Sequence, residues 1–492
     1  MKVLFIEISV GTDYHLFYSE GIGSIAAVLK DNNIKVDLFC FYDWENFKAL
    51  KERVILYKPD VIAFSPLTAT FKATKKIASF IKKEFPKIVT VCGGTHITLN
   101  PSDFYKASSL DAICLGDGEY SFLEFLKKLE KRKDYSDIKG FWFRKNNRII
   151  KNPKREVIRN IDELPFGARD IFLKEGAFWR YESFGESVER GICFLFARGC
   201  PFDCTYCCNH ALKKFYGATY FRCKSPLRAI KEIKKVVKDN RPDFLQFYDD
   251  TFTLNEKWLD SFLSKYKKIN IPFFCNVRVE TCTKRIFSKL KKAGCRLVLI
   301  GLESGDYDLR KNVLNRPMTN IQLIDAFRWA KESGLQTFAF VMIGFPGETP
   351  KKFMNTLKLI NIINPDKCAL SVFNPYIGTK LFKVCKKNKL LRKNIEENFM
   401  ERTDSILNIP KFPREDILHY YHNFNSLVNL GKKSSFSIRK VHRKILYFLL
   451  SKPPSYKLFF VYQFLLALDH ASRLFTKTIF RAIAKNKIYY YE

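Results

Sequence analysis

"GICFLFARGCPFDCTYCCNH", residues 191–210, runs from a strand-like apolar stretch straight into a cluster of cysteines. Three of them, Cys200, Cys204 and Cys207, follow the spacing CxxxCxxC, and Cys208 comes next. The apolar stretch is the first of a series. Further candidate strands lie at 244–250, 273–278, 296–305, 337–345 and 368–376, with helical segments such as "PLRAIKEIKKVVKDN" and "NIQLIDAFRWAKESG" between them. Short apolar runs alternating with helices predict parallel strands joined by crossovers. Six such strands suit a barrel or partial barrel, whose chemistry sits at the carboxyl ends of the strands. The cysteines fall at that face.

A [4Fe–4S] cube has four ligand positions and prefers thiolates. Three thiolates on one loop can hold three irons and leave the fourth open, free to chelate a small molecule through an amine and a carboxylate. Zinc is the competing reading. Structural zinc sites pair two halves, and Cys223 and His210 are the only close candidates for a second half.

The first ~130 residues carry a separate alternation, with "KVLFIEI", "KVDLFCF", "PDVIAFSPL", "IVTVCGG" and "DAICLG" set between helical stretches. This predicts a doubly wound α/β domain that binds ligands beyond the carboxyl ends of its strands. Its Gly-rich tips contain Gly21, Gly93, Gly94, Gly116 and Gly118. A hairpin, "GFWFRKNNRIIKN", and a linker are expected next. The predicted division is a Rossmann-like domain over 1–135, hairpin and linker over 136–187, the barrel over 188–390, and a helical, basic extension over 391–492.

With 492 residues, 47% of them hydrophobic, the chain has ample surface for several cores. Its formal net charge of +35 favours anionic partners, but the same excess follows from a composition rich in Lys, Ile, Asn and Phe. Fourteen cysteines, scattered apart from the quoted cluster, argue against a secreted disulfide scaffold. The opening "MKVLFIEISV" reads as a strand rather than a signal peptide, so a reducing cytoplasm is expected. No stretch reaches the ~18 apolar residues of a membrane span. From 431 to 492, 13 Lys or Arg mix with apolar residues against two acids. Such a basic amphipathic segment is compatible with peripheral contact at the inner membrane surface, or with a helical cap on the barrel.

CxxxCxxC with Tyr206 just before the third cysteine resembles the radical S-adenosylmethionine (SAM) enzymes. The resemblance extends through "FYDDTF" (247–252), "IGLESG" (300–305), "IGFPGET" (343–349) and "NPYIGT" (374–379), which are similar to strand motifs of one large branch. The N-terminal domain resembles the cobalamin-binding module that precedes the barrel there. The chain is thus identified as similar to the cobalamin-dependent radical SAM proteins.

The resemblance implies that Cys200, Cys204 and Cys207 ligate a [4Fe–4S] cluster and that Cys208 is a bystander. Tyr206 would pack near the adenine of SAM. Asp249 or Asp250 would accept hydrogen bonds from the SAM amino group, the other reading being a helix cap. Glu303 and Ser304 would reach the ribose or the methionine end, or else simply end a strand at the surface. Arg278 and Arg316 are candidates for the SAM carboxylate, the alternative being solvated surface arginines. Ile343 and Gly344 would shape the adenine pocket, and Glu348 would fix the "PGET" turn. The glycine tips would let the backbone approach the cobalamin tail. His15 is a poor match to the cobalt-ligating histidine of some cobalamin domains, because it stands three residues too early relative to Gly21; Tyr18 takes that position.

The activity implied is cleavage of SAM to a 5′-deoxyadenosyl radical, with cobalamin-dependent methylation of an unactivated carbon as the first reading. Oxidative cyclisation or rearrangement on the same scaffold, or a non-catalytic cobalamin or redox sensor, are the alternatives. A small-molecule or lipid-like substrate and an electron donor such as flavodoxin or ferredoxin are the expected partners. Methylthiolation of tRNA is a further rival suggested by the positive charge, but the resemblance counts against it. That family's N-terminal domain supplies three more cysteines for a second cluster, whereas Cys40, Cys92 and Cys114 are isolated here and no RNA-binding module is visible, so nucleic acid is not an expected partner.

Overall fold

The computed structural model describes residues 1–9, 18–146, 148–176, 179–182, 188–217, 220–393 and 401–431, with the backbone alone for 179–182, Val188 and 430–431. His15 and the basic segment beyond 431 lie outside the described residues.

The first sheet holds β1 (Lys2–Ile8), β2 (Lys35–Phe41), β3 (Val61–Phe64), β4 (Val89–Cys92), β5 (Ala112–Cys114), β6 (Phe141–Lys145) and β7 (Arg148–Lys151) in the order β2-β1-β3-β4-β5-β6-β7. β1 to β5 are parallel. Helices cover both faces, so these strands are apolar on both sides, and two separate core layers form. The order reverses between β1 and β3, which opens a crevice beyond their carboxyl ends. One expectation is corrected. The hairpin assigned to the linker extends this sheet, since β6 pairs antiparallel with β5 and then with β7.

The second sheet holds β8 (Trp179–Glu182), β9 (Val188–Phe194), β12 (Phe244–Phe247), β13 (Phe273–Val277), β14 (Cys295–Glu303), β15 (Gln336–Ile343) and β16 (Lys367–Val372). A short antiparallel pair, β10 (Ala197–Arg198) and β11 (Arg222–Cys223), stands apart from it. The six strands from β9 to β16 run parallel in chain order, as expected, and β8 adds antiparallel to β9.

Sequence fixes where the crossover helices start. Ser225, Asn255, Thr283, Thr319, Thr349 and Thr379 each cap the helix that follows by accepting a backbone N–H. Each cap contributes ~1 kcal/mol and sets how the chain enters its helix. Residues 401–431, within the extension expected over 391–492, pack on the barrel: Leu407, Ile417, Tyr420 and Leu427 belong to its core. Among the described residues, no helix is long and apolar enough to cross a membrane.

Candidate functional site

The cysteine loop leaves β9, passes through β10 and turns at Gly199, whose φ is +88°. A Cβ there would meet the Tyr220 carbonyl oxygen at 2.9 Å, so only glycine fits without a shift. Cys207, in extended conformation, begins the helix Cys208–Tyr216. Cys200 and Cys204 are buried and Cys207 is half-buried. Burial pushes the Cys200 thiol up to about 11, so it needs a metal to become a thiolate at neutral pH. Asn209 Nδ2 donates to Cys207 Sγ at 3.6 Å.

The loop is pinned from two sides. Thr205 N donates to Leu314 O at 3.1 Å, and Leu381 N donates to Thr205 O at 3.0 Å. His210 makes the tightest clamp. Its Nε2 accepts from Lys380 N at 3.0 Å, so Nδ1 carries the proton and faces the carbonyls of Cys207 (2.8 Å) and Cys204 (3.0 Å). Both ring nitrogens are therefore engaged, which removes His210 as a zinc ligand. Among the described residues, no group of three or more His, Cys, Asp or Glu side chains gathers around one point, as a single zinc ion requires. In a cube each thiolate meets a different iron, so one loop with three thiols suits it.

Arg278 and Arg316 are buried rather than solvated. Arg278 donates through Nη1 to Cys204 Sγ at 3.1 Å, stacks 3.7 Å from the Phe202 ring and pairs with Glu280. It brings positive charge to a sulfur that would carry negative charge as a ligand. Arg316 donates to Glu303 Oε1 at 3.0 Å, to the Tyr206 hydroxyl at 3.2 Å and to Gly301 O at 2.7 Å. Tyr206 thus links the cysteine loop to the end of β14, and its ring lies 6.0 Å from that of Phe345. Glu303 sits at a β-bulge with φ +63°, a conformation that costs about 1–3 kcal/mol in a non-glycine residue and clusters at functional sites.

Other predicted residues are placed less simply. Asp249 is buried, and its Oδ1 accepts from Phe196 N and Ala197 N at 3.1 and 2.6 Å, so it braces the strand entering the loop. Asp250 is exposed beside the loop, and its Oδ2 accepts from Asn209 at 3.0 Å. Ser304 is fully buried, its hydroxyl shared with Thr356 and with the N–H of Asp306. It ties β14 to the helix Pro350–Ile363. Ile343 is also fully buried, within the barrel core. Gly344 takes φ +89°, and its N–H and that of Phe345 donate to Glu348 Oε2 at 2.7 and 3.1 Å, which fixes the turn.

Burial raises the Asp249 carboxyl to about 7 and the Glu348 carboxyl to about 8, against ordinary values of 3.8 and 4.5. A raised folded value favours the protonated acid. Its contribution to stability is whole below the ordinary value and is lost as the pH climbs through the folded one. Glu348→Gln, which keeps an uncharged acceptor, should therefore lose less stability than the parent between about pH 5 and about pH 8 in urea titrations. An equal loss would remove Glu348 as a source of the decline.

Two arginine roles carried no sequence signal beyond charge. Arg310 is fully buried and donates to Ser304 O, Met318 O and Asn320 Oδ1, so it holds the segment that delivers Arg316. Arg198 and Arg222, on β10 and β11, both pair with Asp117 of the first domain. Arg198 also pairs with Glu119 at 2.5 Å.

Asp117 lies between two of the predicted glycines. Gly93, Gly94, Gly116 and Gly118 line one pocket with Ser65 and Ile22, beyond the carboxyl ends of β1, β3, β4 and β5. A Cβ on Gly94, at φ +84°, would come within 2.7 Å of Ser65 Oγ, and one on Gly118 within 2.8 Å of Ile25 Cδ1. The cradle depends on bare backbone, as a bulky planar tail requires. Gly21 is not among the residues that line it, and a Cβ there would meet nothing within 4 Å. Gly23 is the crowded neighbour, because the Tyr18 ring fills its side.

Comparison with known proteins matches residues 194–360 to the Radical SAM superfamily and residues 6–126 to the B12 binding domain. An uncharacterized methyltransferase of Pyrococcus horikoshii is 28% identical over 376 residues, covering 75% of this chain and 79% of that protein. The anaerobic magnesium-protoporphyrin IX monomethyl ester cyclase of Rubrivivax gelatinosus is 25% identical over 342 residues, covering 68% of this chain and 60% of the cyclase. Among solved structures, the radical S-adenosylmethionine methyltransferase TsrM of Kitasatospora setae, with cobalamin and [4Fe–4S] cluster bound, superposes with a TM-score of 0.63 at 14% identity, covering 80% of this chain and 79% of TsrM.

Proposed function

Because the chain belongs to the radical SAM superfamily and carries a B12-binding domain ahead of the barrel, we propose that it is a cobalamin-dependent methyltransferase acting on an unactivated carbon of a small molecule. The observation that carries this reading is the junction of two sites. Three thiols stand at the carboxyl end of β9, and the glycine cradle is tied to the strand just before them through Asp117 and Arg198. When bound, the cluster would supply the electron that breaks the carbon–sulfur bond of SAM to a 5′-deoxyadenosyl radical, and cobalamin would carry the methyl group.

The chain's own residues bind, orient and shield. Cys200, Cys204 and Cys207 would hold the cluster, with Arg278 offsetting charge at Cys204. Asp250, exposed beside the loop, is the better placed of the two aspartates to meet the SAM ammonium, while Asp249 braces the loop from below. The Tyr206–Arg316–Glu303 chain would offer a fixed, buried arrangement of donors and acceptors to the rest of SAM. None of the fourteen cysteines is in a disulfide, which suits a reducing compartment.

Methyl transfer is favoured over cyclisation because, of the two relatives above, the one matched over the larger share of both chains is named as an uncharacterized methyltransferase and the other as a cyclase. Product analysis tests it. Anaerobic turnover should give S-adenosylhomocysteine together with 5′-deoxyadenosine. 5′-Deoxyadenosine alone would favour the cyclase-like reading, and neither product would leave a sensor. The cradle has its own test. Gly94→Ala meets both the positive φ and the Ser65 contact, and should weaken cobalamin retention at least about tenfold, a cost of ~1.4 kcal/mol, while leaving iron content unchanged.

A further inference from the structure

Reduction of a buried cluster needs an electron from outside the chain, and one surface lies within two hydrogen bonds of the cysteine loop. Between residues 380 and 393 the chain carries seven Lys or Arg and no Asp or Glu. The helix Lys380–Lys387 buries Leu381 and Cys385. Its other face exposes Lys383, Lys386 and Lys387, with Val384 40% exposed among them. None of these three lysines pairs with a carboxylate among the described residues. The first turn of this helix touches the loop itself: Lys380 N donates to His210 Nε2, His210 Nδ1 meets the carbonyls of Cys204 and Cys207, and Leu381 N donates to Thr205 O. Beside it lies an apolar groove that Val384, Leu390, Ile409 and Pro410 share with Thr205.

We propose that this basic helix and its apolar groove are the docking surface for an acidic one-electron carrier protein that reduces the cluster. The proposal rests on the cluster reading above and names the partner of that same site. A cationic ring around a small apolar centre fits a transient electron-transfer contact, steered by charge and released quickly. A second copy of the chain would present the same cations and be repelled, as would the strongly basic residues beyond 431. The reaction moves one electron and no atoms: the carrier is oxidised by one electron and the cluster is reduced by one. Two bonded routes join the helix to the loop, Leu381 N to Thr205 O directly and Lys380 N through His210 to the carbonyls of Cys204 and Cys207.

The test uses the full chain reconstituted with its cluster, a purified acidic flavodoxin as the probe, and dithionite as a reductant that needs no docking. Two variants are compared, a triple Lys383→Glu, Lys386→Glu, Lys387→Glu and the same positions changed to Gln as a milder control on folding. The expected result is at least a tenfold rise in flavodoxin Kd for the charge reversal and a smaller rise for the Gln variant. Dithionite-driven cluster reduction should be unchanged. Carbodiimide cross-links from flavodoxin carboxylates should map to this helix, and binding should weaken as salt rises. Unchanged Kd in both variants, cross-links confined to another face, or a triple variant that loses only its affinity for phosphatidylglycerol vesicles would overturn the proposal. If dithionite and SAM yield no 5′-deoxyadenosine from the parent protein, the function proposed above fails instead; the binding and cross-linking results stand independently of that outcome.

Discussion

Replacing Cys204 with alanine should leave the anaerobically reconstituted protein short of iron and sulfide and bring 5′-deoxyadenosine formation down to background. Cys208→Ala should do neither. The two thiols are four residues apart, but their settings differ. Cys204 is buried, receives the Arg278 guanidinium at 3.1 Å and lies in a loop fastened by Thr205 and His210. Cys208 is the first residue of the helix Cys208–Tyr216, with no hydrogen bond from Arg278 of the kind Cys204 receives. Were Cys208 a fourth ligand, no iron would remain open for SAM, and its loss would empty the site as fully as the loss of Cys204. The comparison of the two variants therefore bears on the coordination number as well as on the identity of the ligands. Metal analysis and quantitation of 5′-deoxyadenosine on the same samples are sufficient.

Arg316→Met should be the most destabilising single change in the barrel outside its apolar core, at about 3–5 kcal/mol. The arginine is 6% exposed, and its guanidinium satisfies Glu303, the Tyr206 hydroxyl and the Gly301 carbonyl together. Its removal strands a buried carboxylate beside a residue already held at positive φ. Pairing the change with Glu303→Gln should recover a large part of the loss, because the stranded charge is then gone. Urea denaturation of the parent, the two single variants and the double variant measures this coupling. If the Arg316 and Glu303 effects simply add, the ion pair is not what the arginine supplies.

The parallel strands were legible because their apolar runs are short, regularly spaced and bounded by cap residues such as Thr283, Thr319 and Thr349. The cysteine loop was legible as a unit because the spacing of its thiols is local. What depends on distant partners was not. Whether Arg278 and Arg316 are surface cations or buried ones is decided by Phe202, Glu303 and Tyr206, which no periodicity ties to them. Ser304 looked available at a strand end, but its hydroxyl is taken by Thr356 from a later helix. The 141–151 hairpin carried a clear turn signal, yet its pairing with β5 is a long-range choice. His210 stood in plain view one helical turn after Cys207; its role appeared only when Lys380 arrived to fix its tautomer.

The open iron is most directly tested by electron paramagnetic resonance of the reduced, reconstituted protein before and after addition of SAM. Three sulfur ligands predict a one-electron-reduced [4Fe–4S] signal whose g-values change when SAM binds to the vacant iron. A signal indifferent to SAM, or a protein that takes up zinc in place of iron, would contradict it.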